Sequence, residues 1–201
     1  MKDIDFLAEA RRIIYAESTA LDLLSNSING NFFEVARLML HCAGKVVVTG
    51  MGKSGIVAQK VAATLRSTGQ PAIFLHPGEA AHGDMGMLER RDLVLAISNS
   101  GETEELRLII DYCKRHMGPE IIAITRHKDS MLGRAALFVL EIPDVQEGCP
   151  LGLAPMASTT MQMALGDALA GCLMQAREFK PKDFHALHHG GYLGSQLSQV
   201  A

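Results

Sequence analysis

The sequence predicts a doubly wound α/β domain with an N-terminal helical arm, and three observations predict it. Five short apolar runs rich in β-branched residues, 46–49, 72–75, 93–97, 121–125 and 137–142, are apolar on both faces, which suits parallel strands covered by helices on each side. Between the runs lie amphipathic stretches, such as the one that carries Leu106, Ile109, Ile110 and Cys113 on a single helical face. Ahead of the first run, two helical patterns follow one another with no strand between them.

The first of these helices spans 7–28, where Leu7, Ala10, Ile14, Leu21, Leu24 and Ile28 recur at helical spacing and are expected to form its buried stripe. Glu17 is the only acid on that stripe, expected first at the seam's edge with its carboxylate in solvent and second against a buried partner or a substrate. Asn29-Gly30-Asn31 supplies a stop and a new cap, and a second helix follows over 32–42. After the fifth run a last long helix, about 155–178, places Met161, Leu165, Leu169, Cys172 and Ala176 on one face, with Pro181 as its expected stop. No linker, repeat or low-complexity segment divides the chain, so one domain over 1–201 is expected.

Composition narrows the partners. The 201 residues are 48% hydrophobic and 20% charged, ordinary globular values. A net charge of -3 excludes a protein-wide basic field for nucleic acid or an anionic membrane, so any bound anion needs a local site. The longest uncharged stretch, 148–166, contains Pro150 and Pro155 and reads poorly as a membrane span. The start, Met-Lys-Asp-Ile-Asp, lacks the apolar core of a signal peptide, and a cytoplasmic protein is expected. Cys42, Cys113, Cys149 and Cys172 are scattered without a C-x-x-C pair. Cys113 and Cys172 fall on predicted apolar stripes, which suits buried thiols better than disulfides or zinc.

In an open parallel sheet, ligands collect at the carboxyl ends of strands. After the first run comes Gly50-Met51-Gly52-Lys53-Ser54-Gly55, formally G-x-G-x-x-G. A dinucleotide site wants an acid at the end of the second run, which instead ends Leu75-His76-Pro77, and a Walker loop wants glycine where Val47 stands. What remains is a tight turn aiming Lys53 and Ser54 at a small anion, with Gly52 beside them. After the third run, Ser98-Asn99-Ser100-Gly101-Glu102-Thr103 leads straight into a helix, bringing three hydroxyls to the free N–H groups of a helix N-terminus, as a phosphomonoester requires. Capping accounts comfortably for one hydroxyl and poorly for three. Ser158 and Thr159, within Pro155-Met156-Ala157-Ser158-Thr159-Thr160, repeat the arrangement at the last long helix.

Five motifs stand in order along the chain: GMGKSG at 50–55, HPGEAAHGDMGM at 76–87, SNSGET at 98–103, CPLGLAP at 149–155 and an HxGGxLG-like run at 188–194. With them the sequence resembles, over nearly its whole length, the sugar isomerase (SIS) domain family and specifically its arabinose 5-phosphate isomerases. The resemblance implies a flavodoxin-like three-layer fold and phosphosugar binding through the SNSGET and STT loops. It also implies interconversion of arabinose 5-phosphate and ribulose 5-phosphate with no metal, nucleotide or other cofactor required, in a homodimer or homotetramer with shared active sites. Many members continue into a pair of CBS domains, a pair this chain is expected to lack. The late motif of the family has proline where His189 stands, so His188 and His189 both remain candidates to face the substrate.

Moving a carbonyl between C1 and C2 needs a base, an acid near neutrality, and a cation or donor for the enediolate oxygen. By the resemblance, His82 and His188 match the essential histidines, Lys53 the active-site lysine, and Glu105 and Glu147 the active-site carboxylates. His188, Glu147 and Glu105 stay open as alternatives for the proton-abstracting group. Glu102 and Glu105 also occupy a helix's first turn, where acids complement the macrodipole. His41, His116, His127 and His185 read as surface or capping residues. Two other functions fit the loops: an isomerase of another phosphosugar such as a hexulose 6-phosphate, and a non-catalytic phosphosugar sensor. The absence of a helix-turn-helix pattern and the presence of every candidate acid and base favour catalysis.

Overall fold

The computed structural model describes residues 4–116 and 118–188. Five strands, β1 (Val46–Gly50), β2 (Ala72–Leu75), β3 (Leu93–Ile97), β4 (Glu120–Thr125) and β5 (Phe138–Glu141), form one sheet in the order β2-β1-β3-β4-β5. Every adjacent pair is parallel, with Val46 opposite both Ala72 and Leu93, Leu93 opposite Glu120, and Ile122 opposite Phe138. This is the flavodoxin-like order, whose direction of winding reverses between β1 and β3 and opens a crevice at their carboxyl ends. The central strands β1, β3 and β4 are buried because their apolar residues serve two cores in alternation. Val46, Val48, Leu95, Ile97, Ile122 and Ile124 face one, and Val47, Val94, Ala96, Ile121 and Ala123 the other.

The first face is covered by α1 (Phe6–Ser27), α2 (Gly30–Leu40), α3 (Gly52–Ser67) and α7 (Ala157–Ala176). The second is covered by α4 (Pro77–Ala80), α5 (Glu104–Arg115) and α6 (Met131–Ala135), with a 3-10 turn at Asp84–Met87, and a short α8 (Pro181–Leu187) without buried residues follows α7. Caps mark the helix starts: the Asp5 carboxylate accepts from the amides of Leu7 and Ala8, and Asn29 accepts from that of Asn31. Helix α3 lies so close to β1 that a Cβ on Gly55 would sit 2.6 Å from the Gly50 carbonyl oxygen, which is what the outer glycines of GMGKSG permit.

Three expectations about faces need correction. On α1 the inward stripe is Ile13, Ala16, Glu17, Ala20, Leu21 and Leu24, while Leu7, Ala10, Ile14 and Ile28 are exposed. The helix is apolar on more than one side, and packing against α7 selects the side with the smaller residues. Glu17 therefore faces inward, and its carboxylate accepts a hydrogen bond from the Thr160 hydroxyl at 3.2 Å. On α7 the stripe Met161, Leu165 and Leu169 continues by steps of four to Leu173, which leaves Cys172 and Ala176 exposed. Burial holds for Cys113 and not for Cys172. Helix α7 also ends before Pro181: the chain turns at Glu178, which has φ 51°, and Pro181 opens α8.

Gly101 adopts φ 69°, and a Cβ there would collide with the Ser130 side chain and stand 2.9 Å from the Thr125 hydroxyl. Gly101→Ala is expected to destabilise the fold by about 2–4 kcal/mol, adding left-handed backbone strain to overpacking. A urea or thermal melt measures it, and an unchanged midpoint would show that the SNSGET turn is not rigidly packed.

Candidate functional site

A polar cleft of about 510 Å³ opens at the carboxyl ends of β1, β3 and β4, the place the topology assigns to a ligand. Its walls are the start of α3 (Met51, Lys53, Ser54), the SNSGET loop (Ser98, Asn99, Ser100, Thr103), Arg126 after β4, the segment carrying Glu147, and the first turns of α7 (Ser158, Thr159, Gln162). A slightly larger cavity of about 580 Å³ lies at the amino ends of β3 and β4, beside His41, Arg90, Arg91 and Lys114. Helix N-termini converge only on the cleft at the carboxyl end, which makes it the candidate site.

The two hydroxyl-rich turns are built differently. In SNSGET, the Ser98 hydroxyl accepts from the Gly101 amide at 3.0 Å and lies 2.8 Å from the Thr103 hydroxyl, so these two groups shape the loop. The Ser100 hydroxyl accepts from the Glu102 amide at 3.2 Å. No side chain caps the first turn of α5, whose N-terminus is left open toward the cleft. At α7 two of the backbone donors are already engaged: Glu147 Oε2 accepts from the amides of Met156 at 2.7 Å and Ser158 at 3.3 Å. The Thr159 hydroxyl donates to the carbonyls of Pro155 and Met156, and Ser158 is buried with its hydroxyl unpaired among the described residues.

One chain thus brings together Lys53, Ser54, Ser98, Asn99, Ser100, Thr103, Glu147, Ser158 and Thr159. Gly52 and Gly101 shape turns at its border without lining it. Glu105 is exposed on α5, and His82 is exposed between α4 and the 3-10 turn; neither lines the cleft. His188 caps α8, its ring stacked on Phe184 at 3.9 Å and its Nδ1 2.9 Å from the Phe184 carbonyl oxygen, away from the cleft. His189 and the rest of the late motif lie outside the described residues. Sequence reasoning missed Arg126 and Gln162. Arg126 follows the fourth apolar run directly, so the strand-end rule applied to that run would have found it; in the fold it pairs with Asp144 at 2.7 Å.

The segment before α7 also holds a thiol whose backbone surroundings favour its ionised form. Backbone hydrogen bonds from Ala154, Leu153 and Leu151 draw the Cys149 pKa below the ordinary thiol value, and Arg12 donates to the neighbouring Gly148 carbonyl at 2.7 Å. Burial pushes the Cys113 thiol up to about 11. Alkylation by iodoacetamide near neutral pH is expected to modify Cys149 first and Cys113 last, as read by peptide mass. Faster reaction at exposed Cys172 would contradict this. Among the described residues no group of three or more His, Cys, Asp or Glu side chains is placed to hold a metal ion, and no helix is long and apolar enough to cross a membrane.

A parallel doubly wound sheet with a polar cleft at its switch point is the class of α/β protein that holds a small ligand against helix N-termini. Within that class the chain belongs to the SIS domain family, whose profile matches residues 39–171. It is 47% identical over 196 residues to the arabinose 5-phosphate isomerase KdsD of Pseudomonas aeruginosa, covering 98% of this chain and 60% of that protein. Against the Escherichia coli K12 enzyme of the same name the identity is 48% over 193 residues, covering 96% of this chain and 58% of that one. The chain therefore spans about 60% of the length of these curated relatives. Among solved structures, an E. coli CFT073 protein in complex with arabinose 5-phosphate superposes with a TM-score of 0.89 at 39% identity, over 94% of this chain and 100% of that one.

Proposed function

We propose that this chain is a phosphosugar aldose-ketose isomerase that interconverts arabinose 5-phosphate and ribulose 5-phosphate through an enediolate. The observation that carries the reading is the meeting, in one cleft, of an open helix N-terminus, Lys53 and the Glu147 carboxylate. The likeness to KdsD enzymes and to a structure holding arabinose 5-phosphate supports it. The phosphate docks on the first turn of α5 beside Ser100, where backbone N–H groups and the helix dipole favour an anion. Lys53 neutralises the phosphate or the oxyanion that grows as the proton leaves C2. Glu147 is anchored through Oε2, while its Oε1 has no partner among the described residues and is free to accept a proton.

His82, Glu105 and His188 complete the acid–base set from outside this cleft. We take the active form to be a homodimer or homotetramer in which a neighbour supplies His82 or His188 across a shared boundary. Phe6, Leu7, Ile14 and Tyr15 on α1, each more than two-thirds exposed, give that assembly an apolar face. Light scattering at low concentration is expected to show no active monomer. Residues 1–201 act as one unit in this reading, in the cytoplasm.

The deciding experiment is an isomerisation assay in the presence of EDTA across pentose and hexose phosphates. Conversion of arabinose 5-phosphate to ribulose 5-phosphate is expected. Turnover of a hexulose 6-phosphate alone would move the substrate, and binding with no turnover of any sugar would overturn catalysis in favour of a sensor.

A further inference from the structure

Gln162 is 0% exposed, and neither its amide nitrogen nor its amide oxygen has a hydrogen-bond partner among the described residues. Ser158, one helical turn earlier on α7, is 4% exposed with its hydroxyl equally unpaired. Both border the cleft. A buried amide with no partner is costly, and native folds rarely keep one without a use for it. The rest of the α7 core stripe is apolar, Met161, Leu165 and Leu169, so packing gives no reason for an amide here. Helical side chains lean toward the helix N-terminus, which carries the Gln162 amide toward Ser158 and the cleft.

The chemistry of the missing partner follows from what an amide needs. Its nitrogen only donates and its oxygen only accepts. Ionised phosphate oxygens and a carbonyl oxygen only accept, so neither can satisfy the amide oxygen. A hydroxyl group donates and accepts, and neighbouring hydroxyls on a carbon chain can serve both ends of the amide. We propose that Gln162 is a specificity-determining residue that reads the hydroxyls of the bound sugar chain, with Ser158 beside it, while the phosphate is held elsewhere in the cleft. This rests on the phosphosugar reading above and adds to it the group that distinguishes a sugar phosphate from phosphate alone.

The test is Gln162→Met, which keeps length and helix propensity and removes both polar atoms. Calorimetric titration with arabinose 5-phosphate and, separately, with inorganic phosphate is combined with a thermal melt. The sugar phosphate is expected to bind about tenfold more weakly to the variant, the loss of two neutral hydrogen bonds, with inorganic phosphate affinity unchanged. The melting temperature is expected to stay level or rise by about 2–4 °C, since an apolar group replaces an unpaired one. Equal weakening of both ligands, undiminished sugar phosphate affinity, or a melting temperature lowered by several degrees would each overturn the proposal. If wild type binds a hexose phosphate and not arabinose 5-phosphate, the substrate reading fails and the same affinity ratio, taken with that sugar, decides for or against Gln162. Wild-type binding of no sugar phosphate ends both.

Discussion

His82→Gln and His188→Asn are each expected to lower turnover by about a hundredfold or more while leaving phosphosugar affinity nearly intact, the scale of a positioned acid or base. Each substitution keeps a hydrogen-bonding group and removes the imidazole that can both take up and give back a proton. The surroundings of His188 add a mechanistic detail. Its Nδ1 lies 2.9 Å from the Phe184 carbonyl oxygen, which can only accept, so the neutral ring carries its proton on Nδ1 and leaves Nε2 as the basic lone pair. Stacking on Phe184 fixes the plane of the ring. Steady-state kinetics together with substrate titration separate turnover from binding. His189→Pro, which restores the proline that the family pattern places there, serves as the control and is expected to be active. An inactive His189→Pro beside a fully active His188→Asn would move the role to His189, and full activity of all three variants would remove proton transfer by these histidines altogether.

Glu147→Gln is expected to reduce kcat by about a hundredfold or more with little change in folding. The amide oxygen of glutamine can still accept from the Met156 and Ser158 amides, so the wall of the cleft keeps its shape while the charge and the proton acceptor are lost. Glu147→Ala removes the anchor as well, freeing two donors at the start of α7, and is expected to lower the melting temperature in addition. Full activity in Glu147→Gln would make the carboxylate a cap and nothing more. The split between the two variants, one losing turnover and the other turnover and stability, distinguishes a reacting group from a brace.

The sheet was legible because its central strands are buried on both faces, so β-branched runs such as Val46, Val47 and Val48 admit few other readings. Helix orientation was less so. On α1 both Ile13 and Ile14, and both Ala20 and Leu23, belong to plausible stripes, and only the fit of small residues against α7 chooses between them. Of the site, the glycine turns and hydroxyl clusters could be read because they are local in sequence. Arg126 and Gln162 are single polar residues whose importance comes from where the fold sets them, one at the end of β4 and the other a turn inside α7. The distribution of the candidate groups, with Lys53 and Glu147 inside the cleft and His82, Glu105 and His188 outside it, depends on tertiary geometry that no motif spacing encodes.

The seat of Glu147 bears on how the cleft treats stray anions. A carboxylate tethered nine residues from the amide it occupies competes at an effective concentration on the order of millimolar or above. Inorganic phosphate, sulfate or a metabolite carboxylate must displace that tethered rival to reach the Met156 and Ser158 amides, and charge alone gives it little advantage in doing so. The cleft is thereby shielded at one helix start and receptive at the other, a built-in competitor that sets a threshold for occupancy.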